Sequence, residues 1–390
     1  MRPLPISAPP LPDEMQRRLA RVRELMAAQD LDAYVACSPD NVFYLTNFAN
    51  YVHERPFILV VKRDGAPQFV VPRLEASHVR TRAVGDVELV EYPEFPAPPG
   101  HGWADSLRAV IAAHARVGME STCPLAVYEA LAAARVRTDV IDDARLIKSP
   151  YELGRIAYGC HLISEAHHQL LASARPGKPL FQVAGEMTAL MLPRVLRDNP
   201  ATNMLATRLT SVFQPPSVSH DPHNFTNVHM TMVEGGPHVS IVNCTINGYG
   251  AEVERTWFLG AVPDAARRPF EVMLEARRLA LELTVPGNVM GDVDRRVNAV
   301  FAKAGYGEFL LHRTGHGIGV TGHEAPFLAD GYEHEIEPGM VFTIEPGVYL
   351  KGIGGFRHSD TVMTTATGNI VLTDGPVTLD AVTLPLPGAE

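Results

Sequence analysis

The first part of the chain alternates between amphipathic stretches and short apolar runs. Apolar residues recur at helical spacing between Glu14 and Ala28 with arginines among them, which predicts an amphipathic surface helix. Four strand-like runs bounded by Pro, Gly or Asp follow, at residues 33–36, 57–62, 68–71 and 87–92. Helical patterns then alternate with short strand-like segments, at about 103–116, 117–119, 124–136 and 138–141. This alternation predicts an α/β domain over residues 13–143.

The remainder of the chain mixes long helical patterns with strand-rich stretches. Ser149-Pro150 is typical of a helix N-cap and first turn, and Arg175-Pro176-Gly177 is typical of a helix end. Two apolar runs on either side of Asn247-Gly248 predict a β-hairpin. Further helices are predicted at about 180–198, 264–284 and 292–304, and further strands at about 339–350 and 361–372. We therefore expect an α+β domain with antiparallel hairpins over residues 144–390.

Composition and charge narrow the class of protein. The 390 residues are 46% hydrophobic and 20% charged, which is ordinary for a folded chain of two or three domains. The net charge of -10 and the lack of a basic run argue against nucleic-acid binding. No apolar run approaches the roughly 20 residues that span a bilayer, and the N-terminus lacks the apolar core of a signal peptide. We predict a cytoplasmic protein that does not act at a membrane.

Two segments carry candidate catalytic side chains. In Asp221-Pro222-His223 the proline and polar flanks place the histidine on a loop, where its ring either faces a cleft or lies in solvent. Glu252 and Glu254 follow the predicted hairpin and share one face of a strand. Two acids on one face of an apolar strand are costly to bury unless they bind something. The alternative is an edge strand with a solvated acidic face.

A third segment, from His312 to Asp360, combines histidines, glycines and acids. Glycines on both sides of His316 allow the backbone to approach a ligand closely. Glu345 ends an apolar run at a Pro-Gly bend, where a rigid strand would hold its side chain. Each histidine alone is compatible with an ordinary core or surface position, but together these residues form a candidate site.

Three motifs in this segment resemble a known superfamily. They are Gly315-His316-Gly317-Ile318-Gly319, His323-Glu324-Ala325-Pro326 and the run from Pro338 to Tyr349. The chain resembles the pita-bread superfamily of creatinases, prolidases (Xaa-Pro dipeptidases), aminopeptidase P and methionine aminopeptidase. The resemblance implies an α/β N-terminal creatinase/prolidase-type domain followed by an α+β pita-bread catalytic domain. It also implies a homodimer.

The metal ligands of the peptidases are only partly matched. In those enzymes Asp, Asp, His, Glu and Glu hold two divalent cations, and the resemblance places these positions at Asn243, Glu252, His316, Glu345 and Ser359. Asn243 and Ser359 are neutral, whereas divalent cations that share a water need several carboxylates. We therefore expect no cofactor. The alternative is one divalent metal at Glu252, His316 and Glu345.

The departures resemble creatinase, the metal-independent branch of the superfamily. The matching segments are Pro222-His223-Asn224, Asn243-Cys244, Glu254-Arg255-Thr256 and Arg55-Pro56. The resemblance implies three catalytic residues, with His223 as general acid/base and Glu254 and Glu345 holding a cationic amidine or guanidinium. It further implies that Arg55 binds a substrate carboxylate in the neighbouring subunit's cleft. The full set of expected substrate-binding residues is Arg55, Asn243, His316, His323 and Arg357.

Three functions remain open at this point. The leading hypothesis is a metal-independent hydrolase that cleaves a non-peptide C–N bond in a small zwitterionic amidine or guanidino compound. The first alternative is a metal-dependent Xaa-Pro dipeptidase or aminopeptidase with a modified metal centre, since His323 and Arg357 match prolidase substrate positions. The second alternative is a catalytically inactive pita-bread protein that binds a ligand.

Overall fold

The computed structural model describes residues 1–50 and 54–388. The chain divides into two compact units. The N-terminal unit is Pro9–Leu146, and the catalytic unit comprises Met1–Ala8 and the chain from Ile147 onward. The first eight residues belong to the catalytic unit because they bond to its first helix, as in the hydrogen bond from Ile6 N to Gly154 O at 2.9 Å. In the described part of the chain, no helix combines the length and hydropathy needed to cross a bilayer.

The N-terminal unit is an α/β structure around one mixed sheet. Its strands are β1 (Ala33–Ala36), β2 (Ile58–Lys62), β3 (Gln68–Pro72), β4 (Glu88–Tyr92), β5 (Arg116–Met119) and β6 (Ala134–Arg137). Its helices are α1 (Pro12–Ala28), α2 (Pro39–Thr46), α3 (Ala76–Arg82), α4 (Trp103–Val110), α5 (Leu125–Ala130) and α6 (Val140–Arg145). The strand order is β4-β3-β2-β1-β5-β6, with β1 parallel to β5 and antiparallel to β2. All four residues of β1 are buried, as expected for a central strand.

One stretch of the N-terminal unit differs from the sequence prediction. The helix predicted over about 124–136 ends at Ala130, and residues 134–137 form β6. The strand predicted near 138–141 is absent, because α6 begins at Val140. Strand β6 pairs with β5 alone in the described sheet and is largely exposed, so its Ala-Arg-Val-Arg sequence has no apolar signature. Its strand structure is set by pairing with a distant segment.

The described part of the catalytic unit combines four α-helices with a nine-stranded sheet and a separate hairpin. Its helices are α7 (Pro150–Ala172), α8 (Leu180–Asp198), α9 (Asp264–Leu283) and α10 (Met290–Lys303). Its strands are β7 (Arg208–Gln214), β8 (Gly235–Ile246), β9 (Tyr249–Leu259), β10 (Gly315–Gly317), β11 (Glu324–Leu328), β12 (Val341–Ile344), β13 (Gly347–Leu350), β14 (Gly354–Arg357), β15 (Ser359–Thr365), β16 (Gly368–Val371) and β17 (Thr383–Leu384). The sheet order is β11-β10-β12-β15-β9-β8-β7, while β13 and β14 form a separate hairpin.

Local chemistry explains the two best-marked boundaries in this unit. Helix α7 begins with a capping box, in which Ser149 Oγ accepts from the Glu152 backbone and the Glu152 carboxylate accepts from Ser149 N. Strands β8 and β9 are joined by Asn247 and Gly248, whose φ angles of 46° and 84° are those of a tight hairpin turn. The hairpin is long, and every residue of β9 is buried. Its acidic residues are therefore buried too.

Candidate metal centre and catalytic site

Neighbouring strands of the catalytic sheet carry the candidate residues. The order β10-β12-β15-β9 brings these strands side by side. Glu252 and Glu254 lie on β9, His316 is the middle residue of β10, and Glu345 directly follows β12. Glu252 and Glu254 are two positions apart on the strand, so their side chains point to the same face. The hypothesis of a solvated acidic strand face is therefore wrong, since both residues are less than 9% exposed.

The ring of His316 is held in one orientation. Its Nδ1 lies 3.0 Å from Gly317 O, an atom that only accepts hydrogen bonds, so the neutral ring carries its proton on Nδ1. The other nitrogen, Nε2, is buried and has no well-aligned hydrogen bond in the described structure. It lies 3.3 Å from Glu345 Oε1. A buried ring nitrogen with a lone pair aimed at carboxylates is the arrangement found in metal-binding histidines.

Carboxylates surround this nitrogen. One oxygen each of Glu252, Glu254 and Glu345 lie within 4.8 Å of one another, and so do ligand atoms of Glu252, His316 and His323. The Oε1 atom of Glu252 accepts a hydrogen bond of 3.1 Å from Ser359 Oγ. The hydroxyl of Ser359 thus orients Glu252.

The carboxylate of Glu254 is already paired within the chain. Arg357 Nε contacts its Oε2, and Arg357 NH2 donates to its Oε1 at 3.1 Å. Arg357 NH1 donates to the Tyr349 hydroxyl at 3.0 Å, and that hydroxyl lies 2.6 Å from His312 Nε2. Although burial alone would lower the pKa of Arg357, the carboxylate of Glu254 raises it above its ordinary value. The guanidinium therefore stays charged and offsets Glu254.

The remaining acids of the cluster are not offset in this way. Burial alone would raise the pKa of Glu345, but the adjacent His316 lowers it to about 2. The same contact raises the pKa of His316 against the effect of burial. The pKa of Glu252 is raised, mainly by burial and to a smaller extent by the charge of Glu345. Glu252 and Glu345 thus lie beside His316, while the guanidinium of Arg357 is bound to Glu254.

Two further histidines predicted from the sequence lie at this site. His323 stacks on His316 with ring centroids 3.7 Å apart. Burial and the neighbouring His316 lower the pKa of His323 to about 4. His223 is exposed on the loop between β7 and β8, and its charge acts on both His323 and His312. His223 is thus within electrostatic range of His312 and His323.

The last two predicted residues differ in their setting. Asn243 on β8 lies directly opposite Glu252 on β9, so the two side chains share a face of the sheet. Arg55 belongs to the N-terminal unit, where its guanidinium contacts Glu54 and donates to Glu94 at 2.6 Å. The role of Arg55 in a neighbouring subunit stays a prediction.

Sequence reasoning missed the pair of Tyr349 and His312, which fixes the far side of the Arg357 guanidinium. Both residues lie inside the recognised segment, and His312 stands four positions before His316. No spacing rule distinguishes them from ordinary strand and loop residues. Tyr349 lies on β13 and Arg357 on β14, so pairing of these two strands brings the Tyr349 hydroxyl to the guanidinium.

The donor set fits one divalent cation. Two carboxylates and a neutral imidazole are an accepted set of three protein ligands for a catalytic metal. Glu252 and Glu345 supply two negative charges that a single divalent cation would balance, because Glu254 is offset by Arg357. Asn243 and Ser359 add no charge, so a second divalent cation would leave the buried site strongly positive.

Comparison with known proteins identifies the family. Residues 155–366 match the family model of metallopeptidase family M24, and residues 18–149 match that of the creatinase/prolidase N-terminal domain. The chain therefore belongs to metallopeptidase family M24, with a creatinase/prolidase N-terminal domain before its catalytic domain. This confirms the predicted architecture and superfamily, and it supports hydrolase activity of the peptidase type.

Similar proteins match over nearly their whole length. The putative dipeptidase YkvY of Bacillus subtilis is 27% identical over 369 residues, 92% of this chain and 98% of its own. The Xaa-Pro dipeptidase of Pyrococcus horikoshii is 27% identical over 368 residues, 93% of this chain and 98% of its own. The solved structure of dipeptidase PepE from Mycobacterium ulcerans superposes with a TM-score of 0.77 at 26% identity, covering 96% of this chain and 99% of that one.

The expectation of a creatinase-like hydrolase of amidines or guanidino compounds is wrong. The similar proteins are named dipeptidases and Xaa-Pro dipeptidases. The geometry supplies a physical reason. Glu254, one of the two carboxylates assigned to a substrate guanidinium, binds the chain's own Arg357.

The expectation of no metal cofactor is also wrong. The chain belongs to a family of metallopeptidases, and its Glu and His side chains form a cluster of metal-binding geometry. The sequence argument counted the carboxylates lost at Asn243 and Ser359. It could not show that the fold leaves Glu252 and Glu345 beside an unpaired imidazole nitrogen.

Proposed function

We propose that the chain is a metal-dependent dipeptidase that hydrolyses the Xaa-Pro bond of dipeptides, with one divalent cation held by Glu252, His316 and Glu345. The names of the full-length relatives support the substrate class. The observation that carries the proposal is the buried Nε2 of His316, which faces the carboxylate of Glu345 and has its proton fixed on the opposite ring nitrogen.

The residues around this site have separate roles. A divalent cation bound there would act as a Lewis acid toward the peptide carbonyl oxygen. Glu345 remains ionised, because its pKa of about 2 lies far below neutrality. Ser359 holds Glu252 in place through its hydroxyl hydrogen bond. Arg357 keeps Glu254 paired, so this carboxylate does not compete for the cation.

Two histidines are assigned to the substrate. His323, whose pKa is about 4, is neutral at pH 7 and carries an N–H that can donate to a bound dipeptide. His223, exposed on its loop, is the group we assign to protonating the departing proline nitrogen, because it can exchange protons with solvent. The cytoplasmic location, the homodimer and the contribution of Arg55 to a neighbouring cleft are retained as predictions of the same proposal.

The test is a metal titration of the purified full-length protein. After dialysis against a chelator, the protein is supplied with Mn²⁺, its metal content is measured by elemental analysis, and proline release from Ala-Pro is followed. We expect one cation per chain, loss of turnover on chelation and recovery on adding Mn²⁺. His316→Ala should lower Mn²⁺ affinity by at least about 100-fold, since it removes a direct ligand.

The matched control is His114→Ala, which removes an exposed histidine of the N-terminal unit. It should bind Mn²⁺ and release proline like the unaltered protein. Undiminished proline release after complete removal of metal would contradict the proposal. So would two tightly bound cations per chain, or no release of proline by the metal-loaded protein.

A further inference from the structure

Two cysteines of the N-terminal unit lie side by side. Cys37 directly follows β1, and Cys123 lies four residues beyond the end of β5. These strands are parallel neighbours, so their carboxyl ends meet at one edge of the sheet. The two Sγ atoms are 3.9 Å apart, although the residues are 86 positions apart in sequence. The fold therefore makes a thiol pair that no local motif encodes.

One buried residue positions both cysteines. The Oε2 atom of Glu120 accepts hydrogen bonds from Cys37 N and Ser38 N, each at 2.8 Å. The backbone oxygen of Glu120 accepts from Cys123 N at 3.0 Å. Asn41 Nδ2 donates to the second carboxylate oxygen at 2.8 Å and holds the side chain of Glu120 in place. One residue thereby holds the backbones of both cysteines while their sulfurs lie 3.9 Å apart.

The pair also differs from the other thiols in accessibility. Cys37 and Cys123 are partly exposed, whereas Cys160 and Cys244 are buried in the catalytic unit. The hydrogen bond between the two sulfurs favours the thiolate of Cys123 and the thiol of Cys37, so it lowers the pKa of Cys123 and raises that of Cys37. Cys123 is therefore the thiol that ionises more readily, and Cys37 is the nearby thiol that can react with its oxidised form.

We propose that Cys37 and Cys123 form a reversible intramolecular disulfide when the protein meets a hydroperoxide. The Cys123 thiolate attacks the peroxide, the O–O bond breaks, and Cys123 becomes a sulfenic acid while an alcohol or water leaves. Cys37 sulfur then attacks the Cys123 sulfur, the S–O bond breaks, and the oxygen leaves as water. The two thiols together lose two electrons and the peroxide gains them. A dithiol reductant returns both cysteines to thiols.

The link has a measurable consequence for the N-terminal unit. It joins the ends of β1 and β5 and closes a loop of 86 residues, which restricts the unfolded chain. We expect the thermal unfolding transition of the oxidised protein to move to higher temperature and to return to its former value after dithiothreitol.

The experiment treats the full-length protein with hydrogen peroxide and maps its peptides by mass spectrometry without reduction. We expect one cross-linked peptide pair joining Cys37 to Cys123, with Cys160 and Cys244 still reactive as thiols after denaturation. Glu120→Gln should slow formation of the link by about tenfold, because it loosens the alignment while retaining both thiols.

Two single variants separate the steps. Cys37→Ser should leave Cys123 as a sulfenic acid that dimedone traps, whereas Cys123→Ser should leave Cys37 far less reactive toward peroxide. Both replacements are nearly isosteric and partly exposed, and their reduced forms should unfold at the temperature of the unaltered protein. Oxidation of each cysteine to sulfinic acid without a cross-link, or cross-links only between different chains, would overturn the proposal.

Discussion

A buried glutamate in each unit invites comparison. Glu120 in the N-terminal unit is 3% exposed and Glu252 in the catalytic unit is 7% exposed. Three N–H donors reach the carboxylate of Glu120, from Cys37, Ser38 and Asn41. Among residues 1–50 and 54–388, only the Ser359 hydroxyl donates to the carboxylate of Glu252. The two residues are similarly buried, but the carboxylate of Glu120 accepts three hydrogen bonds and that of Glu252 accepts one.

The electrostatic surroundings of Glu120 also favour its charged form more than those of Glu252 do. Burial raises the pKa of both carboxyl groups. For Glu120 the hydrogen-bond donors act against this effect, whereas for Glu252 the nearby Glu345 adds to it. Glu120 is thus a structural acid that the chain itself satisfies. Under the proposed function Glu252 is instead a ligand of a divalent cation, which would explain why the chain provides it with few hydrogen-bond donors.

The largest change in stability is expected when Glu254 loses its partner Arg357. Arg357→Met should lower the free energy of unfolding by about 3–5 kcal/mol, because it leaves Glu254 buried without its cation. Chemical denaturation of the metal-free protein measures the change. The double variant Glu254→Gln with Arg357→Met should recover most of the loss, since it removes both charges. A double variant as unstable as the single one would show that Glu254 and Arg357 do not form the essential pair.

The structural acid gives the next largest effect. Glu120→Gln should lower the free energy of unfolding by about 1–3 kcal/mol, because the amide nitrogen cannot accept the N–H donors that the carboxylate oxygen accepts. Denaturation of the reduced protein measures it, so that no disulfide contributes. Glu129→Gln, which changes an exposed acid of the same unit, is the control and should have little effect. Equal stability of the two variants would refute the structural role of Glu120.

The course of the chain could be predicted where local chemistry decides it. The N-cap at Ser149 and the hairpin at Asn247-Gly248 are set by residues within a few positions, and both were predicted from sequence. Strand β6 was missed because its strand structure depends on pairing with β5 rather than on its own polar sequence. A local sequence pattern does not indicate which distant strand a segment pairs with.

Sequence reasoning was limited in the same way at the candidate site, where it could not show which charged residues pair with each other. The motifs around His316 and Glu345 could be recognised, and the three residues of the single-metal alternative are members of two overlapping acid and histidine clusters. What sequence could not show is that Arg357 pairs with Glu254, since they meet only through β14 and β9. Without that pair, Glu254 looked available for a substrate guanidinium. The error in function followed from this unforeseen contact and from the inference that the neutral Asn243 and Ser359 exclude a metal.

His238 is a buried histidine with no ion pair among the described residues, and it makes the stability of the protein depend on pH. His238 stacks on Trp257, and its Nε2 accepts from Val233 N at 3.2 Å. Burial lowers its pKa to about 3, whereas the unfolded chain restores the ordinary value near 6.5. Between these values the unfolded state binds one more proton, so stability falls as pH falls, at up to about 1.4 kcal/mol per pH unit. His238→Gln should remove this part of the slope, measured by denaturation at several acidic pH values.

Surface histidine provides the control for this measurement. His161→Gln removes an exposed ring from α7 and should leave the pH dependence of unfolding unchanged. If His238→Gln also leaves it unchanged, the ring of His238 is protonated in the folded state, and its burial as a neutral group is refuted.

The smallest change in stability is expected at the acid of the site. Glu252→Gln keeps an oxygen for the Ser359 hydroxyl and removes the repulsion from Glu345, so the metal-free protein should change by less than about 1 kcal/mol. Adding Mn²⁺ should raise the unfolding temperature of the unaltered protein and not that of the variant, because a bound cation stabilises only the state that binds it. A loss as large as that of Glu120→Gln would mean that the Glu252 charge is satisfied within the chain. A shift with Mn²⁺ in the variant would mean that the cation binds elsewhere, and either result would remove the distinction between the two glutamates.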